Sequence, residues 1–198
     1  MVTGVILAGG QNRRMGGQPK GTIVVGGEMM AARQIRLMQP LCEQILLVTN
    51  ELELYESVSG HAQILQDRFK GKGPLGGMEA ALTIARTPVW VVGCDMPYIS
   101  ADAARLLFRE LELDPELEAA VPSVEGKLHP LHGVYRTSVA ENIRQLLQKD
   151  HLRVMSLLEA IRWRKFEEDV FSRAGIPVEF VRNANTPEDW QSVSSATE

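Results

Sequence analysis

Cysteine is scarce in this sequence, and so are the patterns that would give cysteine a structural role. Only Cys42 and Cys94 occur among the 198 residues, and they lie far apart without a C-x-x-C pair. Disulfide-rich folds and structural zinc sites depend on several closely spaced cysteines, so neither is supported. We therefore expect a protein of a reducing compartment.

Positive charge is not in excess either. The chain has 21 Lys and Arg residues against 25 Asp and Glu residues, which gives a formal net charge of −4. Binding to the phosphate backbone of nucleic acids depends on clustered cations in excess, so no nucleic-acid partner is expected. An anionic ligand would have to be bound by local features of the fold.

Long apolar runs are missing from the N-terminus. The run at residues 1–8 has no basic residues before it and is too short for a signal peptide or a membrane span. We interpret it as a buried strand and expect a cytoplasmic protein without membrane contact. The composition, with 44% hydrophobic and 23% charged residues, is that of a globular protein with one substantial core.

Short β-branched runs alternate with longer helical periods along the chain. This order is typical of βαβ units and predicts an α/β fold, a three-layer sandwich with a mainly parallel sheet. The predicted strands are Gly4–Ala8, Ile45–Thr49, Ala62–Leu65, Val89–Gly93, Ala119–Pro122, Leu131–Tyr135 and Val178–Val181. The predicted helices are Met29–Met38, Gly76–Arg86, Ala101–Leu111, Ser138–Gln148 and Arg153–Ile161.

Two helix starts are supported by capping residues. Ser100 precedes Ala-Asp-Ala, and Thr186 precedes Pro-Glu-Asp, where proline suits the first helical position and the acids suit the positive end of the helix. We expect one domain over residues 1–191. Small polar residues predominate over 192–198, which predicts a frayed tail.

A glycine-rich loop follows the first predicted strand. Paired glycines at Gly9 and Gly10 let the backbone approach a ligand and direct N–H groups at phosphate oxygens. Arg13, Arg14 and Lys20 add three cations that could neutralise a triphosphate. A turn with solvated arginines is the plainer interpretation. The loop contains neither G-x-x-x-x-G-K-[ST] nor G-x-G-x-x-G, so a P-loop kinase or a dehydrogenase is not expected.

An acidic residue ends another predicted strand. Val89–Gly93 is followed by Cys-Asp-Met-Pro, so Asp95 should reach the crevice at the carboxyl end of the sheet, beside the glycine-rich loop. A carboxylate there suits Mg²⁺, which takes one or two carboxylates together with substrate phosphates. The alternative is an ordinary aspartate in the turn that ends a strand. Asp67 likewise follows a predicted strand and leads into a basic, glycine-rich loop.

The opening motif identifies a family. L-A-G-G-x-x-x-R-M-G-G-x-x-K-G, from Leu7 onward, resembles the N-terminus of the molybdenum cofactor guanylyltransferases of the MobA type, and C-D-M-P resembles their magnesium-binding segment. The resemblance implies a Rossmann-like nucleotidyltransferase fold, the nucleotide-diphospho-sugar transferase type. It also implies roles for individual residues. Those assigned to the nucleotide are Leu7, Ala8, Gly9, Gly10, Lys20, Asn50, Asp67 and Asp95, with Asp95 as the metal ligand and Lys20, Arg14 and Asp95 as the catalytic residues.

Residues for a second substrate are implied only by the same resemblance. His129, Asn183 and Asn185 lie in segments that correspond to the pterin side of the family's cleft. On chemistry alone, His129 and His132 would be structural histidines, and the two asparagines would be turn residues before a capped helix.

The implied reaction transfers GMP from GTP to the terminal phosphate of molybdopterin, with Mg²⁺, and releases pyrophosphate. A phosphate monoester has a second pKa of about 6 and is already largely ionised at neutral pH, so no general base is needed. Brief contacts with other proteins of molybdenum cofactor biosynthesis would fit this role. Two alternatives stay open: cytidylyl transfer to molybdopterin or sugar-phosphate nucleotidyl transfer on the same fold, and a non-catalytic carrier that binds GTP.

Overall fold

Apolar strands build the central layer of the protein. The computed structural model describes residues 1–9 and 19–195, and within these ranges one eight-stranded sheet and one two-stranded hairpin are formed. The strands are β1 (Val2–Leu7), β2 (Val24–Val25), β3 (Glu28–Met29), β4 (Cys42–Thr49), β5 (Gln63–Gln66), β6 (Val89–Gly93), β7 (Ala119–Val124), β8 (Lys127–Leu128), β9 (Val134–Tyr135) and β10 (Trp163–Glu167).

The order of the strands across the large sheet is β10-β7-β9-β6-β1-β4-β5, with β8 paired to β7. The pairs β1–β4, β1–β6, β4–β5 and β7–β10 are parallel, and β9 runs antiparallel between β6 and β7. The prediction of a mainly parallel sheet is therefore confirmed. β1 lies between β4 and β6, and both of its faces are buried, which explains its predominantly apolar sequence.

Helices cover both faces of the sheet. They are α1 (Met30–Met38), α2 (Gly73–Ile84), α3 (Ala101–Leu113), α4 (Ala140–Gln148), α5 (Val154–Ala160), α6 (Glu168–Arg173) and α7 (Pro187–Ser195). One apolar core joins α1, α3 and α6 to one face of the sheet, and a second core joins α2, α4 and α5 to the other. The predicted three-layer arrangement is thus confirmed. Among the helices of residues 1–9 and 19–195, none has both the length and the apolar character needed to cross a bilayer.

Both predicted helix caps are present. Ser100 Oγ accepts a hydrogen bond from the backbone N–H of Ala103 at the start of α3, at 3.2 Å. Thr186 Oγ1 accepts from Asp189 N at 3.2 Å, while the carboxylate of Asp189 accepts from Thr186 N at 2.9 Å. This reciprocal pair is a capping box that fixes the first turn of α7.

Three predictions in the second half of the chain need correction. The predicted strand at Val178–Val181 is wrong, because these residues form a 3-10 helix that buries Phe180 and Val181 in a core. The predicted strand at Leu131–Tyr135 is shorter, and only Val134–Tyr135 pairs. Of the predicted tail at 192–198, residues 192–195 continue α7, and residues 196–198 lie outside the described part of the chain.

Candidate active site

Three parallel strands end side by side at one edge of the sheet. Leu7, the last residue of β1, is in register with Val48 of β4 and with Gly93 of β6. The contact continues beyond the strands, since Ala8 N donates to Val48 O at 2.8 Å and Cys94 N donates to Leu7 O at 3.1 Å. The segments that follow these strands are therefore held together at the carboxyl edge, where α/β sheets bind ligands.

A cleft of about 540 Å³ opens at this edge. It is lined by Leu7, Gly9, Val48, Thr49, Asn50, Glu51, Asp67, Gly71, Gly73, Pro74 and Gly77. Four of the residues predicted to contact a nucleotide thus line one cavity: Leu7, Gly9, Asn50 and Asp67. Ala8 is buried, and Gly10, Arg13 and Arg14 lie outside the described residues. The cleft is large enough for a small-molecule ligand.

Two glycines let helix α2 approach the cleft closely. A Cβ atom on Gly76 would lie 2.9 Å from both carboxylate oxygens of Asp67, and one on Gly77 would lie 2.9 Å from Cδ2 of Leu7. Because glycine has no side chain, Asp67 and Leu7 can pack directly against the start of α2. The helix was predicted to begin at Gly76, but it begins at Gly73, three residues earlier.

Asp67 is held in a defined position. Its Oδ1 accepts a hydrogen bond from Phe69 N at 2.7 Å, and burial raises the pKa of the carboxyl group above its ordinary value. The next residue, Arg68, donates to both carboxylate oxygens of the buried Glu79 on α2, at 2.9 Å each. Arg144 of α4 donates to the same carboxylate at 2.8 Å. The segment after β5 is therefore tied to two helices by charge-assisted hydrogen bonds.

Lys20 and Asp95 meet beside the cleft. Lys20 Nζ lies 3.2 Å from Oδ2 of Asp95, and it donates a hydrogen bond of 2.6 Å to Oδ1 of Asn185. Both members of the ion pair are only partly exposed, with 17% of the Lys20 side chain and 25% of the Asp95 side chain accessible. Three segments that are remote in sequence therefore contribute polar groups to one point.

The turn that carries Asp95 is fixed from several directions. Gln34 of α1 is fully buried, and its Nε2 donates to Gly93 O at 2.8 Å and to Met96 O at 3.0 Å. Ala184 N donates to Asp95 O at 2.8 Å. Gln34 was not predicted as a site residue, although a glutamine on the apolar face of a helix is a signal that could have revealed it.

Asp95 is a carboxylate of this site that could ligate a magnesium ion. Within the described residues, no group of three or more His, Cys, Asp or Glu side chains is arranged to hold a metal. A metal cage made of protein ligands alone is thus not formed by this part of the chain. Mg²⁺ does not need one, because it is commonly bound by one or two carboxylates together with substrate phosphates and waters. Asp95 supplies one such carboxylate.

The residues predicted to contact a second substrate lie in two separate segments of the chain. Asn185 contacts Lys20, and Asn183 is exposed two residues earlier. His129 is partly buried, which lowers the pKa of its imidazole, and its backbone N–H donates to Pro122 O at 2.9 Å. Leu131 follows shortly after and would lie 3.7 Å from a Cβ atom on Gly93, so this segment borders the turn of Asp95.

His132 is a core residue. Its ring lies between those of Trp90 and Phe180, with centroid distances of 5.2 Å and 4.6 Å. Nε2 accepts a hydrogen bond from Ser100 N at 3.2 Å, and complete burial lowers the pKa of the imidazole to about 3. The neutral ring therefore stabilises the start of α3, in agreement with the structural interpretation of this histidine.

Comparison with known proteins gives consistent results. Residues 4–165 match the family described as MobA-like NTP transferase domain. A probable molybdenum cofactor guanylyltransferase of Pelotomaculum thermopropionicum is 33% identical over 189 residues, which cover 94% of this chain and 89% of the relative. Another, of Carboxydothermus hydrogenoformans, is 29% identical over 191 residues, which cover 96% of this chain and 93% of the relative.

Solved structures agree on the fold. The crystal structure of molybdopterin-guanine dinucleotide biosynthesis protein A from Archaeoglobus fulgidus has a TM-score of 0.85 and 22% identity, and the match covers 99% of this chain and 98% of that chain. A structure of CMP:2-keto-3-deoxy-manno-octonic acid synthetase complexed with CTP has a TM-score of 0.79 and 15% identity, and it covers 100% and 98%. The fold is therefore that of the nucleotide-diphospho-sugar transferases.

Proposed function

Because this chain belongs to the family of MobA-like NTP transferases, we propose that it is a molybdenum cofactor guanylyltransferase. In this reaction the terminal phosphate of molybdopterin attacks the α-phosphorus of GTP. The new phosphoanhydride bond forms as the bond to pyrophosphate breaks. The curated relatives named as probable molybdenum cofactor guanylyltransferases support this acceptor and this nucleotide.

The observation that carries the proposal is the contact between Lys20 and Asp95 at the carboxyl edge of the sheet. It joins a cation and a carboxylate where β1 and β6 end, next to a cleft lined by Asn50 and Asp67. A triphosphate requires cationic neutralisation, and its magnesium ion requires a carboxylate oxygen. A pocket that only stored a nucleotide would not need both groups at one point.

Catalysis would depend on the positioning of the two substrates and on the neutralisation of phosphate charge. The acceptor phosphate has a second pKa of about 6, so it attacks without losing a proton to the protein. Lys20 would bind phosphate oxygens and stabilise the charge that develops at the attacked phosphorus. Asp95 would hold Mg²⁺, which when bound neutralises phosphate oxygens and favours the departure of pyrophosphate. Arg14, outside the described residues, would be a further triphosphate contact.

The nucleotide base and the acceptor would occupy different parts of the site. Asp67 and Asn50 line the cleft beside the glycine-rich start of α2 and would contact the guanine or the ribose. Leu7, Ala8, Gly9 and Gly10 would contribute backbone contacts. His129 and Asn183 would lie on the pterin side, next to the turn of Asp95.

The wider setting is also part of the proposal. Cys42 and Cys94 are free and buried, which fits a cytoplasmic protein that never needs a disulfide. The acceptor would be received from another protein of molybdenum cofactor biosynthesis through brief contact.

Two measurements test the proposed activity. Thermal-shift titration with GTP, CTP, ATP and UTP, each with Mg²⁺, should give the largest rise in melting temperature with GTP, because ligand binding to the native state stabilises it. Pyrophosphate release should then require GTP and molybdopterin together. Selective binding of CTP would instead indicate a cytidylyltransferase, and GTP binding without pyrophosphate release would indicate a carrier.

A further inference from the structure

The ammonium group of Lys20 has a second partner that no role in the transfer reaction yet explains. Its hydrogen bond to Oδ1 of Asn185 is 2.6 Å long, shorter than the 3.2 Å contact with Asp95. We propose that Asn185 is a positioning residue for Lys20, which holds the ammonium group in place while it binds the triphosphate. This inference rests on the proposed nucleotidyl transfer and assigns Asn185 to the nucleotide side of the site rather than to the pterin.

The backbone that carries Asn185 is well fixed. Asn185 N donates to the carboxylate of Asp189 at 2.8 Å, within the capping box of α7. The preceding residue, Ala184, is buried in an apolar cluster with Met30 and Trp190, and its N–H donates to Asp95 O. The side chain of Asn185 therefore starts from a point that is linked directly to Asp95. A hydrogen-bond acceptor held in this way can orient a flexible lysine.

The two partners of Lys20 differ in charge. Asp95 is the carboxylate available to a magnesium ion, and an oxygen that coordinates a cation is a weaker acceptor for a second cation. The amide oxygen of Asn185 is neutral, so it orients the ammonium group without cancelling the positive charge that the triphosphate needs. An ammonium group has three N–H donors, and the contacts to Asp95 and Asn185 use two of them.

Asn185 lies outside the part of the chain that matches the family. The family match ends at residue 165, whereas Asn185 lies in the C-terminal segment before α7. Asn185 contacts Lys20, although the two residues are 165 positions apart in the sequence. The catalytic pocket is therefore completed by residues outside the matched domain.

A double-mutant cycle tests this inference directly. The dissociation constant of GTP with Mg²⁺ is measured by calorimetry for the wild type, Lys20→Ala, Asn185→Ala and the double variant, without molybdopterin. We expect Asn185→Ala to weaken binding about tenfold, as the loss of a hydrogen bond to a charged group does. In the Lys20→Ala background, Asn185→Ala should have almost no further effect, because the interaction it removes is already absent.

Matched variants distinguish the loss of Lys20 positioning from a general loss of folding. Asn142→Ala, at a partly exposed asparagine of α4 whose amide donates to Ala160 O, should leave GTP binding unchanged. Asn185→Gln keeps an amide oxygen on a longer side chain and should bind GTP better than Asn185→Ala does. Equal melting temperatures for the Asn185 variants and the wild type would show that the fold is intact.

The outcomes distinguish this inference from the proposed function. Additive effects in the cycle, or unchanged GTP binding by Asn185→Ala with a raised KM for molybdopterin, would overturn the role of Asn185 and leave guanylyl transfer standing. If the wild type prefers another nucleoside triphosphate, guanylyl transfer fails and the cycle is measured with that nucleotide. If it binds none of the four, both proposals are overturned.

Discussion

A Cβ atom on Gly93 would lie 2.7 Å from Oδ1 of Asp95, so the carboxylate occupies the space that a side chain at position 93 would fill. Gly93 is the last residue of β6, and its carbonyl oxygen also accepts a hydrogen bond from the buried Gln34. The strand end is thus held in place by a helix and leaves room for the side chain that follows. This arrangement gives the first of four predictions.

Gly93→Ala should displace the carboxylate of Asp95 and slow pyrophosphate release about 100-fold, since misplacement of a catalytic group by 1 Å has effects of this order. The melting temperature should change far less than the rate. Gly60→Ala is the matched control, because a Cβ atom there meets no atom within 4 Å. A Gly93→Ala variant as active as Gly60→Ala would show that the position of Asp95 is not critical.

Asp95→Ala should abolish transfer, because it removes the carboxylate proposed to hold the magnesium ion together with its contact to Lys20. Calorimetry should also show that Mg²⁺ no longer increases the affinity for GTP. Asp102→Ala removes an exposed aspartate of α3 and serves as the control. Turnover near the wild-type rate in Asp95→Ala would refute the assignment of the metal ligand.

Asp67→Asn should raise stability at neutral pH and weaken GTP binding about tenfold through the loss of a charged acceptor. Burial raises the pKa of this carboxyl group in the folded state. Its contribution to stability is therefore most favourable below the unfolded value of 3.8 and is lost as the pH rises through the folded pKa. The stability gain of Asp67→Asn in urea unfolding should shrink as the pH falls towards 4. A gain that does not change with pH would contradict this account.

His132 should make the fold sensitive to acid. Burial lowers its pKa from 6.5 to about 3, so its contribution to stability is complete above pH 6.5 and is lost as the pH falls towards 3. One pKa unit corresponds to 1.36 kcal/mol, so the free energy of unfolding should fall by about 2 kcal/mol from this residue between pH 7 and pH 5. His132→Gln should flatten this dependence, measured by urea unfolding at each pH. His61→Gln, at an exposed histidine, should retain it.

Much of the first half of the fold could be predicted from local patterns. β6 has the predicted bounds, Val89–Gly93, because a buried parallel strand is apolar at every position and ends sharply at the Cys-Asp-Met-Pro turn. The meeting of Lys20 with Asp95 also followed from general rules, since both lie beyond the carboxyl ends of neighbouring strands. Residues that meet at the carboxyl edge of a sheet can thus be predicted from the sequence when the preceding strands have a recognisable apolar pattern.

Elements at the margin of the sheet could not be predicted in this way. β10 (Trp163–Glu167) is an edge strand whose Arg164 and Lys165 are exposed, so its sequence lacks an apolar run. Val178–Val181 has the β-branched composition of a strand, yet packing against α6 and the core favours a 3-10 helix. The contact between Lys20 and Asn185 was beyond sequence reasoning, because no local pattern relates residues 165 positions apart.

The central place of β1 also has a consequence for the order in which the protein can form on the ribosome. β1 precedes both of its pairing partners, β4 and β6, in the chain, so the hydrogen bonds on both of its edges can form only once Gly93 has left the exit tunnel. The contact between Lys20 and Asn185 forms later still, because Asn185 is translated after Gly93. The centre of the sheet can therefore form in a nascent chain before the ammonium group of Lys20 has both of its partners.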